Sequence, residues 1–68
     1  MPIVRMSDLR EMTREELIDK LISLKRDLFN QRVTRIATGN VENVSMESEL
    51  RKAIARVLTV LRERGYIK

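Results

Sequence analysis

The sequence predicts an all-α protein: two long antiparallel helices forming a coiled-coil-like hairpin, with a short N-terminal helical turn before them. Leu17, Leu21, Leu24 and Leu28 recur at a 4-3-4 spacing, and so do Leu50, Ile54, Val57 and Leu61. That is the period of a stripe along one side of a helix. Between the two stripes stands Thr38-Gly39-Asn40, a stop signal followed closely by a new start. So short a connection turns the second helix back along the first.

Each element has its own signals. Residues 1–6 read as an extended lead-in, and Ser7 caps a short turn through Asp8, Leu9, Arg10 and Glu11. Thr13-Arg14-Glu15-Glu16 matches a capping box, with acids in the positive first turn. Helix one therefore spans about 13–38, and Gly39 supplies its left-handed cap. Helix two spans about 45–64; it begins near Asn43 or Ser45, both able to cap, and Gly65 ends it. The 68 residues make a single domain.

Helix one carries more apolar residues than a hairpin buries. Ile18, Ile22, Phe29, Val33 and Ile36 form a second row about a third of a turn from the leucine stripe, with Lys25 and Arg32 between the two rows. Either Ile3, Val4, Leu9 and Met12 fold back over part of this row, or a partner covers it.

Composition removes whole classes of function. There is no cysteine and no histidine, hence no disulfide, no thiolate metal site and neither of the commonest groups for acid–base work or metal ligation at neutral pH. Glu15/Glu16 and Glu47/Glu49 point to different sides of a helix and read as a helix start and a solvated first turn. Gly39 and Gly65 stand alone, so there is no glycine-rich phosphate loop. Phe29 and Tyr66 are the only aromatics, too few for a base-stacking platform. No cofactor and no metal site are expected. No secretory or membrane-spanning segment is apparent, and the lack of cysteine fits a reducing, cytoplasmic setting.

What remains is charge. The net +4 is uneven: residues 37–49 sum to −3 and residues 50–68 to +5. Between Leu50 and Lys68 there are six basic residues and one acid, Glu63, so salt bridges within the helix cannot neutralise it. Arg51, Lys52, Arg56 and Arg62 fall opposite the apolar arc of helix two, with only small Ala55 and Thr59 between them. Small residues flanked by guanidinium groups suit a phosphate backbone, not a small substrate.

These residues resemble a known family. Phe29-Asn30-Gln31-Arg32, Ala37-Thr38-Gly39, Arg51-Lys52-Ala53-Ile54-Ala55-Arg56 and Thr59-Val60-Leu61-Arg62-Glu63-Arg64, with the opening Leu9-Arg10-Glu11-Met12-Thr13 and Glu15-Glu16-Leu17, look like the universal large-subunit ribosomal protein family numbered twenty-nine, in its bacterial type. The likeness runs from about Ser7 to Arg64. It implies a structural, non-enzymatic ribosomal constituent bound to large-subunit ribosomal RNA near the nascent-peptide exit. The ribosomal protein numbered twenty-three would lie beside it, with chaperone or targeting factors docking nearby, in the cytoplasm or in an organellar ribosome. By this resemblance Arg32, Thr38, Gly39, Arg51, Lys52, Arg56, Thr59, Arg62 and Arg64 lie at or near RNA, and Lys25 and Arg35 complete the candidate set. The chain departs from the family at Asn43-Val44-Ser45-Met46-Glu47-Ser48-Glu49, which is acidic where many members are basic. That segment is expected to be a loop facing solvent or protein.

Two other readings compete. A small helical enzyme of chorismate-mutase type also uses helices with arginines and an Ile-Asp pair, here Ile18-Asp19, but it needs a third helix or a swapped dimer around a buried arginine pocket. A free coiled-coil nucleic-acid-binding protein shares the basic face but would not sediment with large subunits.

A core one seam thick, with no staple, holds a small chain weakly. The isolated protein is expected to be strongly helical by circular dichroism yet to melt well below roughly 90 °C. A sharp transition above that range would mean that no partner is needed for its stability.

Overall fold

In the computed structural model, residues 4–39 and 44–67 are described. They form α1 (Met6–Arg10), α2 (Arg14–Thr38) and α3 (Val44–Glu63). α2 and α3 pack along one another as the expected hairpin, and α1 packs on α3. The shape is elongated, 40 × 20 × 17 Å, close to the roughly 37 Å expected of a 25-residue helix.

The start of α2 follows the sequence signal. The Glu16 backbone N–H donates to the Thr13 hydroxyl at 3.2 Å, and the Thr13 backbone N–H donates to the Glu16 carboxylate at 3.1 Å. The Thr13 backbone N–H, and then its hydroxyl, hold the Glu16 carboxyl below its ordinary value of 4.5. A lowered pKa fixes the sign: this contribution to stability is present above the ordinary carboxylate range and is lost as pH falls through the lowered value. At the other end Gly39 sits at φ 68 and donates its N–H to the Arg35 carbonyl at 2.8 Å, a left-handed cap. Gly65, at φ 74, closes α3. Its N–H reaches the Arg62 carbonyl at 3.0 Å, and the Tyr66 N–H reaches that of Leu61 at 2.9 Å, the paired bonds of a Schellman turn.

Two boundaries differ from expectation. α1 begins at Met6 with Arg5 at the cap position and no side-chain cap bond; Ser7 lies within its first turn. α3 begins by Val44, so Ser45 is already helical. Asn43 and Asn40 lie outside the described residues. The segment expected as an acidic loop is therefore, from Val44 onward, the first turn and a half of α3.

The core is the seam. Leu17, Leu24 and Leu28 of α2 are buried with Leu50, Ala53, Val57, Val60 and Leu61 of α3, and Leu21 and Ile54 are partly buried against them. Val4 and Leu9 are buried too, and Met6 and Met12 partly so. They extend this core over the α3 side, where α1 packs, and leave the second row of α2 open. Ile3 lies outside the described residues. Ile22, Phe29, Val33 and Ile36 stay exposed, so Val4, Leu9 and Met12 do not fold back over them.

Gly39→Val tests the left-handed cap. Nothing lies within 4 Å of where a Cβ would stand, so any loss comes from backbone strain, on the order of 1–3 kcal/mol. Urea unfolding should show it, and an unchanged midpoint would remove the strain argument.

Candidate nucleic-acid interface

α3 builds the basic arc through its period alone. With Leu50, Val57 and Leu61 turned inward, Arg51, Lys52, Ala55, Thr59 and Arg62 point outward, and all five are exposed. The Thr59 hydroxyl donates back to the Ala55 carbonyl at 2.8 Å; this holds its side chain against the helix and keeps the space between the cations low. Lys52 lies 3.6 Å from Glu49, an exposed i,i+3 pair worth less than about 1 kcal/mol, so its charge stays available. Glu63, the one acid of the segment, turns to Arg10 of α1 at 3.5 Å. Arg51 and Arg62 have neither an ion pair nor a hydrogen bond among the described residues.

Not every predicted arginine shares this freedom. Arg35 donates through Nε to Glu47 Oε1 at 2.7 Å, across the hairpin just below its turn. Glu47 is only 8% exposed, which corrects the reading of a solvated first turn. The acid is buried because it meets Arg35 from the facing helix, and the close pair offsets the cost of taking the carboxylate from water. Arg64 donates through Nη1 to the Met12 carbonyl; it ties the end of α3 to the turn between α1 and α2 and is partly buried. Arg56 is also partly buried, with Nη1 enclosed and without a hydrogen-bond partner among the described residues. It sits at the edge of the arc rather than fully on it.

The remaining predicted residues lie elsewhere. Thr38 and Gly39 are exposed at the turn, and the Thr38 hydroxyl donates to the Thr34 carbonyl at 2.8 Å. Lys25 and Arg32 are exposed on α2, beside its apolar row and not within the α3 arc. A separate open groove of about 350 Å³ between the helices is lined by Asp27, Asn30, Gln31, Met46 and Leu50. It contains no pair of groups suited to acid–base chemistry. Among the described residues no cluster could hold a metal ion, and no helix is long and apolar enough to cross a membrane.

The residue that sequence reasoning missed is Glu47. A signal was present: Arg35 and Glu47 stand equally far on either side of residue 41, the register an antiparallel hairpin brings opposite. The arc thus reduces to Arg51, Lys52 and Arg62 around Ala55 and Thr59, with Arg56 at its margin. This is a shallow, cationic surface that can bind extended anions.

The model of the Ribosomal L29 protein family matches residues 7–64. The chain is similar to proteins named large ribosomal subunit protein uL29 from several organisms. It is 49% identical over 57 residues to that of Thermoanaerobacter sp. (strain X514), covering 84% of this chain and 81% of the relative. It is 44% identical to that of Enterococcus faecalis, covering 91% and 98%, and 41% identical to that of Methanocaldococcus jannaschii, covering 94% and 91%. No solved structure matches.

The division among the arginines is testable by stability. Arg64→Met keeps the aliphatic stem but strands the Met12 carbonyl, and should cost about 1–2 kcal/mol in urea unfolding. Arg51→Met removes a side chain with no partner and should stay within about 0.5 kcal/mol. Equal costs would show that Arg64 holds nothing.

Proposed function

We propose, from the premise that the chain belongs to the Ribosomal L29 protein family, that it holds large-subunit ribosomal RNA through the exposed basic arc of α3. Members of this family are structural constituents of the large ribosomal subunit and not enzymes, and this chain is one of them. The chorismate-mutase alternative falls with that assignment.

One observation carries the RNA reading: Arg51, Lys52 and Arg62 stand exposed around Ala55 and Thr59, on the side of α3 away from its buried seam. Phosphate groups need cations they can approach, and here no large side chain lies between them. With no aromatic on the arc, recognition works through RNA shape, phosphates and 2′-hydroxyls instead of stacked bases. Arg56 joins at the margin, where an RNA oxygen would supply the acceptor its enclosed Nη1 lacks. Thr59 keeps its hydroxyl lone pairs as acceptors for a 2′-hydroxyl. Thr38 and Gly39 present exposed backbone at the hairpin turn. Arg35 and Arg64 act first as internal ties and reach RNA only with what those ties leave free. The family resemblance, and no contact within this chain, supports a position near the nascent-peptide exit, beside the ribosomal protein numbered twenty-three, where chaperone and targeting factors dock.

Replacing Arg51 and Arg62 together by Gln keeps helix propensity and leaves the seam alone. Affinity for a large-subunit RNA fragment should fall, and the slope of log K against log salt should shrink by roughly 1 for each phosphate contact removed. The deficit is therefore larger at low salt. Unchanged affinity and slope in the double variant would exclude this arc as the RNA face.

A further inference from the structure

Five large apolar side chains of α2 face outward. Ile18 is 36% exposed, Ile22 50%, Phe29 66%, Val33 47% and Ile36 77%. At about 100° per residue they share an arc roughly 60° wide, and from Ile18 to Ile36 they run about 27 Å along the helix. Scattered surface apolar residues need no explanation, but a continuous row of five does. Cations line one edge, and the other is mixed. Arg14, Lys25 and Arg32 fall on the edge nearest the leucine seam, Arg26 on the far edge, and Glu15 is the one acid within the arc. Lys25, Arg26 and Arg32 make no ion pair among the described residues, while Arg14 lies over the Tyr66 ring at 5.9 Å. Asp19 falls beside Arg26 on the far edge, and of the acids of α2 only Glu16 and Asp27 are turned to its opposite side.

We propose that this row docks an amphipathic helix of a partner protein, one whose apolar stripe is flanked by Asp or Glu on the side that meets Lys25 and Arg32. The period and length of the row match about five turns of a facing helix, and the unpaired Lys25 and Arg32 on its seam edge select an acidic flank on the partner. A sugar–phosphate backbone fits it poorly. On α3 the cations surround small side chains, whereas here they surround bulky apolar ones whose burial a phosphate backbone does not reward. A second copy of this chain fits worse still. Antiparallel self-pairing sets Arg14, Lys25 and Arg32 against the same three residues, so like charges are opposed; parallel pairing sets Arg14 near Asp19 of the second copy but leaves Lys25 and Arg32 facing Asn30 and Ala37, without an acid. The docking surface is independent of the α3 arc, so the two can be occupied together.

The test titrates the full chain, by fluorescence anisotropy, into a labelled helical peptide about five turns long with a Leu/Ile stripe and Glu flanks, and into its twin with Lys flanks. The Glu-flanked peptide should bind at least about tenfold more tightly. Ile22→Gln with Val33→Gln, both at exposed positions, should keep the helical circular-dichroism spectrum and lose that binding by about tenfold or more. Lys25→Glu with Arg32→Glu should reverse the preference. Equal binding of both peptides overturns the proposal, as does a Gln variant that binds normally. Sedimentation equilibrium showing a dimer that the Gln variant abolishes would assign the row to a second copy. Loss of large-subunit RNA affinity in the Gln variant would assign it to RNA. Either result overturns the proposal, and neither bears on the Arg51/Arg62 outcome.

Discussion

Two helices packed side by side bury one stripe of each, and no more. In this chain that stripe is Leu17, Leu24 and Leu28 against Leu50, Val57 and Leu61, and the rest of the architecture follows from its narrowness. A core this thin leaves about two-thirds of each helix circumference to solvent or partners. The short α1, with its buried Leu9, widens the core mainly along α3. The groove between the helices lined by Asp27, Asn30, Gln31, Met46 and Leu50 is open to solvent. Most of what the described residues offer a partner therefore lies on their outer faces.

Such a seam holds register along its length but leaves the ends of the hairpin free to splay. Polar ties secure both. Near the turn, Arg35 and Glu47 bond across the helices at 2.7 Å. At the open end, Arg10 pairs with Glu63 and Arg64 donates to the Met12 carbonyl, which draws α1 and the following turn onto α3. The Glu47 pair is the stronger of the two ion pairs. Its acid is nearly buried and its distance short, whereas Arg10 and Glu63 are both well exposed and screened. Arginine thus serves two purposes in one small protein. Its role at each position is decided by whether an acid or a free carbonyl lies within reach.

The exposed faces differ in kind. On α3 the cations surround small residues and fit an extended polyanion. On α2 they border a long apolar row. A ribosomal constituent that meets both RNA and protein needs two such surfaces, and a single amphipathic seam can present both because each helix offers only one side to its neighbour. The missing histidine and cysteine are consistent with this division, in which contact area and charge do the work without reactive groups. A core one seam thick follows the same logic, since a bound partner adds its own stabilisation to the folded form.

The sequence by itself determined the elements whose causes are local. The two stripes, the capping box at Thr13 and Glu16, and the left-handed glycines at 39 and 65 each rest on residues within a few positions of one another. The exposed arc of Arg51, Lys52 and Arg62 was legible for the same reason: once the seam is assigned, helical period fixes what lies opposite. What the tertiary structure decided depends on pairs far apart in the chain. Arg35 with Glu47, Arg10 with Glu63 and Arg64 with Met12 meet only after the hairpin closes and α1 docks. They moved Glu47 from surface to interior, and gave Arg35 and Arg64 partners within the fold. The choice of α3 over the α2 row as the place where Val4 and Leu9 settle was likewise tertiary. Both sites offer apolar surface, and apolar attraction has no direction that a sequence pattern could reveal.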